Sequence, residues 1–463
     1  MTTTYAFEHL YQPEGWLSPG YVTVESGLIT AVETSAPLKG ATLPVAGYAL
    51  PGMHNLHSHA FQRVLAGRTE SVTEMRTTDD LWTWREAMYG LVEALSPADY
   101  QAIAEFVYVH LLKGGYTTVC EFHYLHHAPG GARYANPAET SERLLQAAID
   151  SGIALTLLPT LYLHGGIGRP VAGPQRRFAH EDPSEYLALI ERLHGAYGAT
   201  PTLRIGLALH SLRAVAPAEL LAVTTAGLQP PERRVHIHVS ETKQEVAEVE
   251  AGLGARPVRW LLDHTDLDQR WTLVHATHLD AAEQRGLATS GAVVGLCPLT
   301  EATLGDGVFP LLEHQTAGGA WGIGSDSNYA PGVAEELRML ECGQRLRLAR
   351  RNILAVPGSA VTAHSGRRLY DLALAGGSQA SGGLSASLTK GQRADIVVLD
   401  ALSPGLLGHG PTTVLDAWLL GGGEQAVRDV MVNGRWIIRD RLHPREALVA
   451  RRYAETLARL SAH

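Results

Sequence analysis

The sequence predicts an α/β chain: a (β/α)8 barrel of the TIM type in the middle, and a small β-sandwich domain assembled from both ends. Three observations carry that expectation. Helical and strand patterns alternate from about residue 96 to residue 324, which implies a parallel sheet, and eight such strands imply a closed barrel. The two ends share a different character, short strands and turns, and so fit one small sheet domain, 1–49 plus 385–463, flanking a barrel of 50–384. Chemically active side chains recur at the ends of the central strands, where the sites of barrel enzymes lie.

Taken in order, residues 20–24 alternate as a strand, Glu25-Ser-Gly27 turns, and 28–32 resumes as a strand, with no helix evident. Ser96-Pro97-Ala-Asp99 supplies a capping serine, a proline at the first helical position and an acid in the first turn, so a helix runs from there to Lys113, where Gly114-Gly115 stops it. A strand follows at 117–122. The unit repeats with helix 138–151 into strand 154–158, helix 184–197 into strand 203–209, a helix from Pro217 into strand 234–239, and a helix from Gln244 into strand 271–275. Later strands are 291–295 and 320–324. Towards the far end, 394–400 reads as a strand and 429–438 as a hairpin about Asn433-Gly434.

A chain of 463 residues accommodates one large domain and a small one. With 45% hydrophobic and 18% charged residues it reads as globular, not disordered. A net charge of −9 without a basic run argues against a nucleic-acid surface, and an anionic ligand would need a locally positive pocket. Cys120, Cys297 and Cys342 suggest neither a disulfide framework nor a thiolate zinc site. The first residues lack a basic region followed by an apolar run, and no segment offers about 18 uninterrupted apolar residues, so a cytoplasmic protein is expected.

The central feature is His57-Ser58-His59. Side chains alternate along a strand, so both imidazoles can meet one cation. In a chain with 22 histidines a lone pair of this kind is weak, and its weight comes from the other strand ends. These offer His236 and His238 with Glu241 beyond them, then His275 and His278, and finally Asp326 in Gly-Ser-Asp-Ser-Asn. His236 and His238 share a face and rival each other as a ligand. His275 is favoured over His278 because it directly ends its strand.

His57-x-His59 after Pro-Gly, histidines on two later strands and Asp326 on the last resemble the amidohydrolase superfamily. The resemblance runs nearly end to end and includes Ala394-Asp-Ile-Val and Val432-Asn-Gly. None of the lysines Lys39, Lys113, Lys243 and Lys390 falls at a barrel strand end, which disfavours the dinuclear subtype bridged by a carbamylated lysine. His238-Val-Ser-Glu241 is similar instead to the mononuclear deaminase branch. That implies one divalent ion, zinc by expectation, on His57, His59, His238 and Asp326, with His236 packed. The strings 51–63, 81–89, 121–127 and 297–307 resemble more narrowly the formimidoylglutamate deiminases, which hydrolyse N-formimino-L-glutamate to N-formyl-L-glutamate and ammonia in histidine degradation. Ser-Asn-Tyr-Ala-Pro after Asp326 departs from that pattern. The resemblance further implies a homodimer acting on a small molecule, with no nucleic-acid or membrane partner.

Three neutral imidazoles and a carboxylate leave an ion one open position for water, which is then deprotonated near neutral pH. Asp326 is expected to take a proton, Glu241 to relay one to the imine nitrogen, and His275 to steady the tetrahedral centre. The alternative for Glu241 is a solvated acid opening a helix. By resemblance the substrate's two carboxylates meet Arg85, Tyr124, His210 and Arg213, with Gln62 near the formimino group. Trp82 and Trp84 read as packing, and His123, His126 and His127 as a solvated or hydrogen-bonded loop. Two rival functions remain: a nucleobase or nucleoside deaminase with the same metal and Glu241, and a non-catalytic metabolite-binding relative.

Overall fold

Eight parallel strands follow one another around the barrel in chain order: β1 (Met53–Ser58), β2 (Tyr116–His123), β3 (Ala154–Leu161), β4 (Leu203–Ile205 and Leu207–Leu209), β5 (Val235–Val239), β6 (Trp271–His275), β7 (Val293–Leu296) and β8 (Ala320–Ile323). The computed structural model describes residues 2–37, 41–72, 79–228, 232–359, 361–383 and 385–461; Lys39 lies outside them. The strands are buried along almost their whole length, because helices cover one face and the barrel interior the other.

Closure occurs at the rim formed by the C-terminal ends of the strands. Ser58 and Asp326 bridge in parallel, with the His59 amide donating to the Asp326 carbonyl at 2.9 Å and the Asp326 amide to the His57 carbonyl at 3.0 Å. Gly324 permits this approach, since a Cβ there would lie 2.8 Å from that of His57.

Helix Pro97–Lys113 begins as expected: Ser96 Oγ accepts the Asp99 amide and the Asp99 carboxylate accepts the Ser96 amide. Elsewhere the structure departs from the sequence reading. The helix expected from Gln244 is two, Lys243–Leu253 and Pro257–His264, because Gly254 ends the first in the left-handed region at φ 75°. Helices Leu81–Ala94, Val333–Leu348 and Ser365–Ser381 were not anticipated. In the last, a side chain at Gly376 would fall on the Trp321 carbonyl, so glycine lets this helix press against β8.

The ends pair into one eight-stranded sheet in which Ile396–Leu399 runs antiparallel to Thr42–Pro51, and Thr42–Pro51 continues through Gly52 into β1. Alternation divides its faces: Ala49, Ile396 and Val398 join a core of their own with Phe7, Val22 and Met431, whereas Tyr48, Leu50, Val397 and Leu399 face the main core. The C-terminal end is not all β: helix Glu446–Leu460 leaves the sheet and lies on Pro97–Lys113, where the Tyr453 and Phe106 rings stack at 3.9 Å and Arg459 pairs with Asp99.

Candidate active site

The end of β1 brings His57 and His59 to the rim with their Nε2 atoms 3.1 Å apart, and His238 Nε2, from β5, lies 3.1 Å from the first and 3.3 Å from the second. One tetrahedral ion would impose this triangle, since metal–nitrogen bonds of about 2.0–2.1 Å set the donors roughly 3.3–3.4 Å apart. Asp326 Oδ1 stands 3.5 Å from both His57 and His59 Nε2. Two rings are oriented from behind: His59 Nδ1–H donates to the Phe122 carbonyl at 2.9 Å and His238 Nδ1–H to the His210 carbonyl at 3.1 Å, which leaves their Nε2 lone pairs directed inward.

Burial holds all three imidazoles below their ordinary range, His59 at about 3, so they are neutral donors. Burial works against a charged Asp326, but the hydrogen bond with His57 and the charge on His275 outweigh it and hold the carboxyl below its usual range. The donor set fits a single divalent cation. Backbone strain gathers at the same rim: Ser240, His275, Ala276, Asp326 and Asn328 all have φ between 45° and 66°, at a cost of about 1–3 kcal/mol each.

Glu241, three residues beyond His238, places Oε1 3.5 Å from His275 Nε2, which is 3.8 Å from Asp326 Oδ2. Burial pushes the Glu241 carboxyl up to about 7, so it exchanges its proton near neutrality. Burial opposes a charge on His275, yet Glu241, Glu301 and Asp326 outweigh it and hold the ring well above the ordinary imidazole range.

His275 Nδ1 faces Glu301 Oε1 at 3.3 Å, and that oxygen also accepts the Cys297 amide at 2.9 Å. The sequence reading missed Glu301, although it stands in the first turn of helix Pro298–Leu304 within the string 297–307. Glu301→Gln is expected to lower kcat about 10–100-fold, the usual cost of losing an orienting partner. Steady-state kinetics beside a melting curve checks this; an unchanged kcat in a folded variant would remove Glu301 from the site.

Gln62, Arg85, Tyr124, His210 and Arg213 line the same cavity as His59, His238, Glu241, His275 and Asp326. Gln62 is fixed at both ends of its amide: Nε2 donates to Tyr124 Oη at 2.9 Å, and Oε1 accepts from Ser327 Oγ at 2.6 Å. Asn328 Nδ2 donates to the His59 and Asp326 carbonyls at 3.2 and 2.8 Å. Residues 327 and 328, where the chain departs from the resemblance, therefore stitch the first strand to the last.

Trp82 was expected to be packing. It lines the cavity, with the Arg85 guanidinium 4.4 Å and that of Arg213 5.1 Å from its ring centre. Neither guanidinium has a carboxylate partner among the described residues. Trp84 also lines the cavity but is buried. His236 lies apart, its Nε2 3.0 Å from the Ala380 carbonyl, and His278 Nε2–H donates to the Asp306 carbonyl at 2.7 Å. His123, His126 and His127 are buried, not solvated, and bond Tyr100 Oη, the Thr160 carbonyl and the Ala179 carbonyl.

A parallel barrel whose C-terminal rim gathers three imidazoles and a carboxylate around one point is built as a metal-dependent hydrolase. The chain belongs to the Amidohydrolase family, whose model matches residues 48–437, and members of that family bind a divalent metal. It is 46% identical over 455 residues to the formimidoylglutamate deiminase of Pseudomonas aeruginosa, covering 98% of each. It is 28% identical to the 5-methylthioadenosine/S-adenosylhomocysteine deaminase of Natronomonas pharaonis, over 90% of this chain and 87% of that one. An amidohydrolase crystal structure from Brucella melitensis superposes with a TM-score of 0.92 at 40% identity, covering 99% of this chain and 100% of that one. An adenosine deaminase from Xanthomonas campestris with bound zinc shares the fold, with a TM-score of 0.82 at 22% identity over 100% and 99% of the two chains.

Proposed function

We propose that the protein hydrolyses N-formimino-L-glutamate to N-formyl-L-glutamate and ammonia, with zinc held by His57, His59, His238 and Asp326. The observation that carries the substrate is the pair of guanidiniums, Arg85 and Arg213, without a carboxylate partner among the described residues and set against Trp82 in the cavity that reaches Glu241. A dicarboxylate needs such a pair, whereas a nucleobase does not. The relative at 46% identity carries the same activity in its name.

The ion, when bound, supplies a water acidic enough to attack near neutral pH. Asp326 accepts a proton from the water as its oxygen bonds to the formimino carbon, and Glu241 protonates the imine nitrogen to an amine; the proton of the new hydroxyl then passes by way of Asp326 and Glu241 to that amine, so that the C=O bond forms as the C–N bond breaks and ammonia departs. His275, kept cationic by Glu241, Glu301 and Asp326, faces the oxygen on which negative charge develops. Gln62 holds the formimino end in line, and Arg85, Tyr124, His210 and Arg213 take the carboxylates.

The deciding assay is ammonia release from N-formimino-L-glutamate beside adenosine, guanine and cytosine. A rate no higher with formiminoglutamate than with the bases would overturn the reading. Arg213→Met keeps much of the apolar stem and removes the fork; losing a charge-assisted contact costs about 1.5–3 kcal/mol, or roughly 10- to 150-fold in kcat/KM. Metal content is expected to stay constant. A two-domain division at 1–49 plus 385–463 and 50–384, a homodimer and a cytoplasmic location complete the reading, with no nucleic-acid or membrane partner; among the described residues no helix is long and apolar enough to cross a membrane.

A further inference from the structure

The two guanidiniums of the cavity meet on one indole. The Arg85 guanidinium carbon lies 4.4 Å and that of Arg213 5.1 Å from the Trp82 ring centre, and all three side chains line the cavity that reaches Glu241. They come from separate parts of the chain. Trp82 and Arg85 stand three residues apart on helix Leu81–Ala94 and so share a face, whereas Arg213 lies four residues beyond the end of β4.

Each part of this cluster is anchored. The Asp80 carboxylate accepts the Trp82 amide at 2.9 Å and the Thr83 amide at 3.1 Å, which fixes the first turn of the helix. The Tyr89 ring centre lies 5.5 Å from the Arg85 guanidinium, and Tyr89 Oη accepts from Gln175 Nε2 at 3.2 Å. Next to Arg213, the Ala214 carbonyl accepts the amides of Leu163 and His164 at 2.9 and 3.0 Å, which ties that loop to the one after β3.

Two like charges repel, and among the described residues neither guanidinium has a carboxylate to offset the other. A π system attracts both, so one indole keeps them together without neutralising either. Their central carbons can be no further apart than 4.4 and 5.1 Å laid end to end, which makes the shared ring the gauge of the clamp. We propose that Trp82 is a positioning residue that sets the spacing of the two guanidiniums, and through it the length of dicarboxylate the cavity prefers. The assignment rests on the deimination reading and adds a source of selectivity to it. A clamp assembled before the ligand arrives also spares binding the cost of ordering two long side chains. Without the ring, repulsion spreads the forks and the ligand must gather them.

Three diacids probe the gauge: glutarate, whose carboxylates have the spacing of those in glutamate, succinate, one methylene shorter, and adipate, one methylene longer. With the metal-loaded enzyme turning over formiminoglutamate, glutarate is expected to inhibit most strongly. In Trp82→Leu, KM is expected to rise about 10-fold, the order of one desolvated cation–π contact, while kcat and metal content stay near native values. The preference for glutarate is expected to flatten, and Trp82→Phe, which keeps a ring face, to recover part of both properties. No glutarate preference in the native enzyme, a native KM in folded Trp82→Leu, an equal loss of all three inhibitors, or a Trp82→Phe no better than Trp82→Leu would overturn the proposal. If the native enzyme released no ammonia from formiminoglutamate, the deimination reading itself would fall; calorimetric titration of the three diacids into native and Trp82→Leu protein would then still decide whether Trp82 gauges the clamp.

Discussion

Glu241→Gln is expected to turn over about 10²- to 10⁴-fold more slowly than the native enzyme while binding metal and substrate normally. The amide keeps the size of the acid but cannot carry its proton. Glu241 is placed for transfer by two facts. It lies 3.5 Å from His275 across the cavity, and burial sets its carboxyl at about 7, where uptake and release of a proton are nearly balanced at neutral pH. The native rate should accordingly show a titration near pH 7 that the variant lacks. Pre-equilibrium binding, metal analysis and a pH profile of kcat test this together, and an unaltered kcat would return Glu241 to the role of a solvated acid opening a helix.

The second large effect is expected from His238→Ala. His57, His59 and His238 form a triangle with sides of 3.1 to 3.3 Å, and removing one corner leaves a site that no longer encloses an ion. Electrostatic help from a bound cation amounts to several kcal/mol, and each 1.36 kcal/mol is tenfold in rate, so a loss of about 10³-fold or more is expected together with a fall in bound metal. Elemental analysis of the purified variant decides it. A full metal equivalent with normal turnover would show that the triangle is not the binding site. Chelation of the native protein should reproduce the loss, and added zinc should reverse it.

What could be read in advance follows the range of the forces involved. Strand ends such as His57-x-His59 and His238 with Glu241 are legible because alternation and a spacing of three residues act locally. So is the helix after Ser96, whose cap lies within four residues of its start. Glu301 was missed because its orienting contact reaches His275 across 26 residues, and Ser327 because its partner Gln62 is 265 residues away. Trp82 looked like core for the same reason: nothing near it in the chain announces that Arg213 will stack upon it.

The barrel is sealed by hydrogen bonds that His57 and His59 make with Asp326, and these three residues are themselves proposed metal ligands. A cation held there would fasten the two ends of the closed sheet. Whatever binds the closed form alone stabilises it by mass action, by about 4.1 kcal/mol at a thousandfold excess over Kd. The seam also ties metal retention to synthesis: a polypeptide released before residue 326 has the first histidines but neither the final carboxylate nor the strand that carries it. A metal held by this set would therefore mark chains that reach residue 326, before any substrate is added.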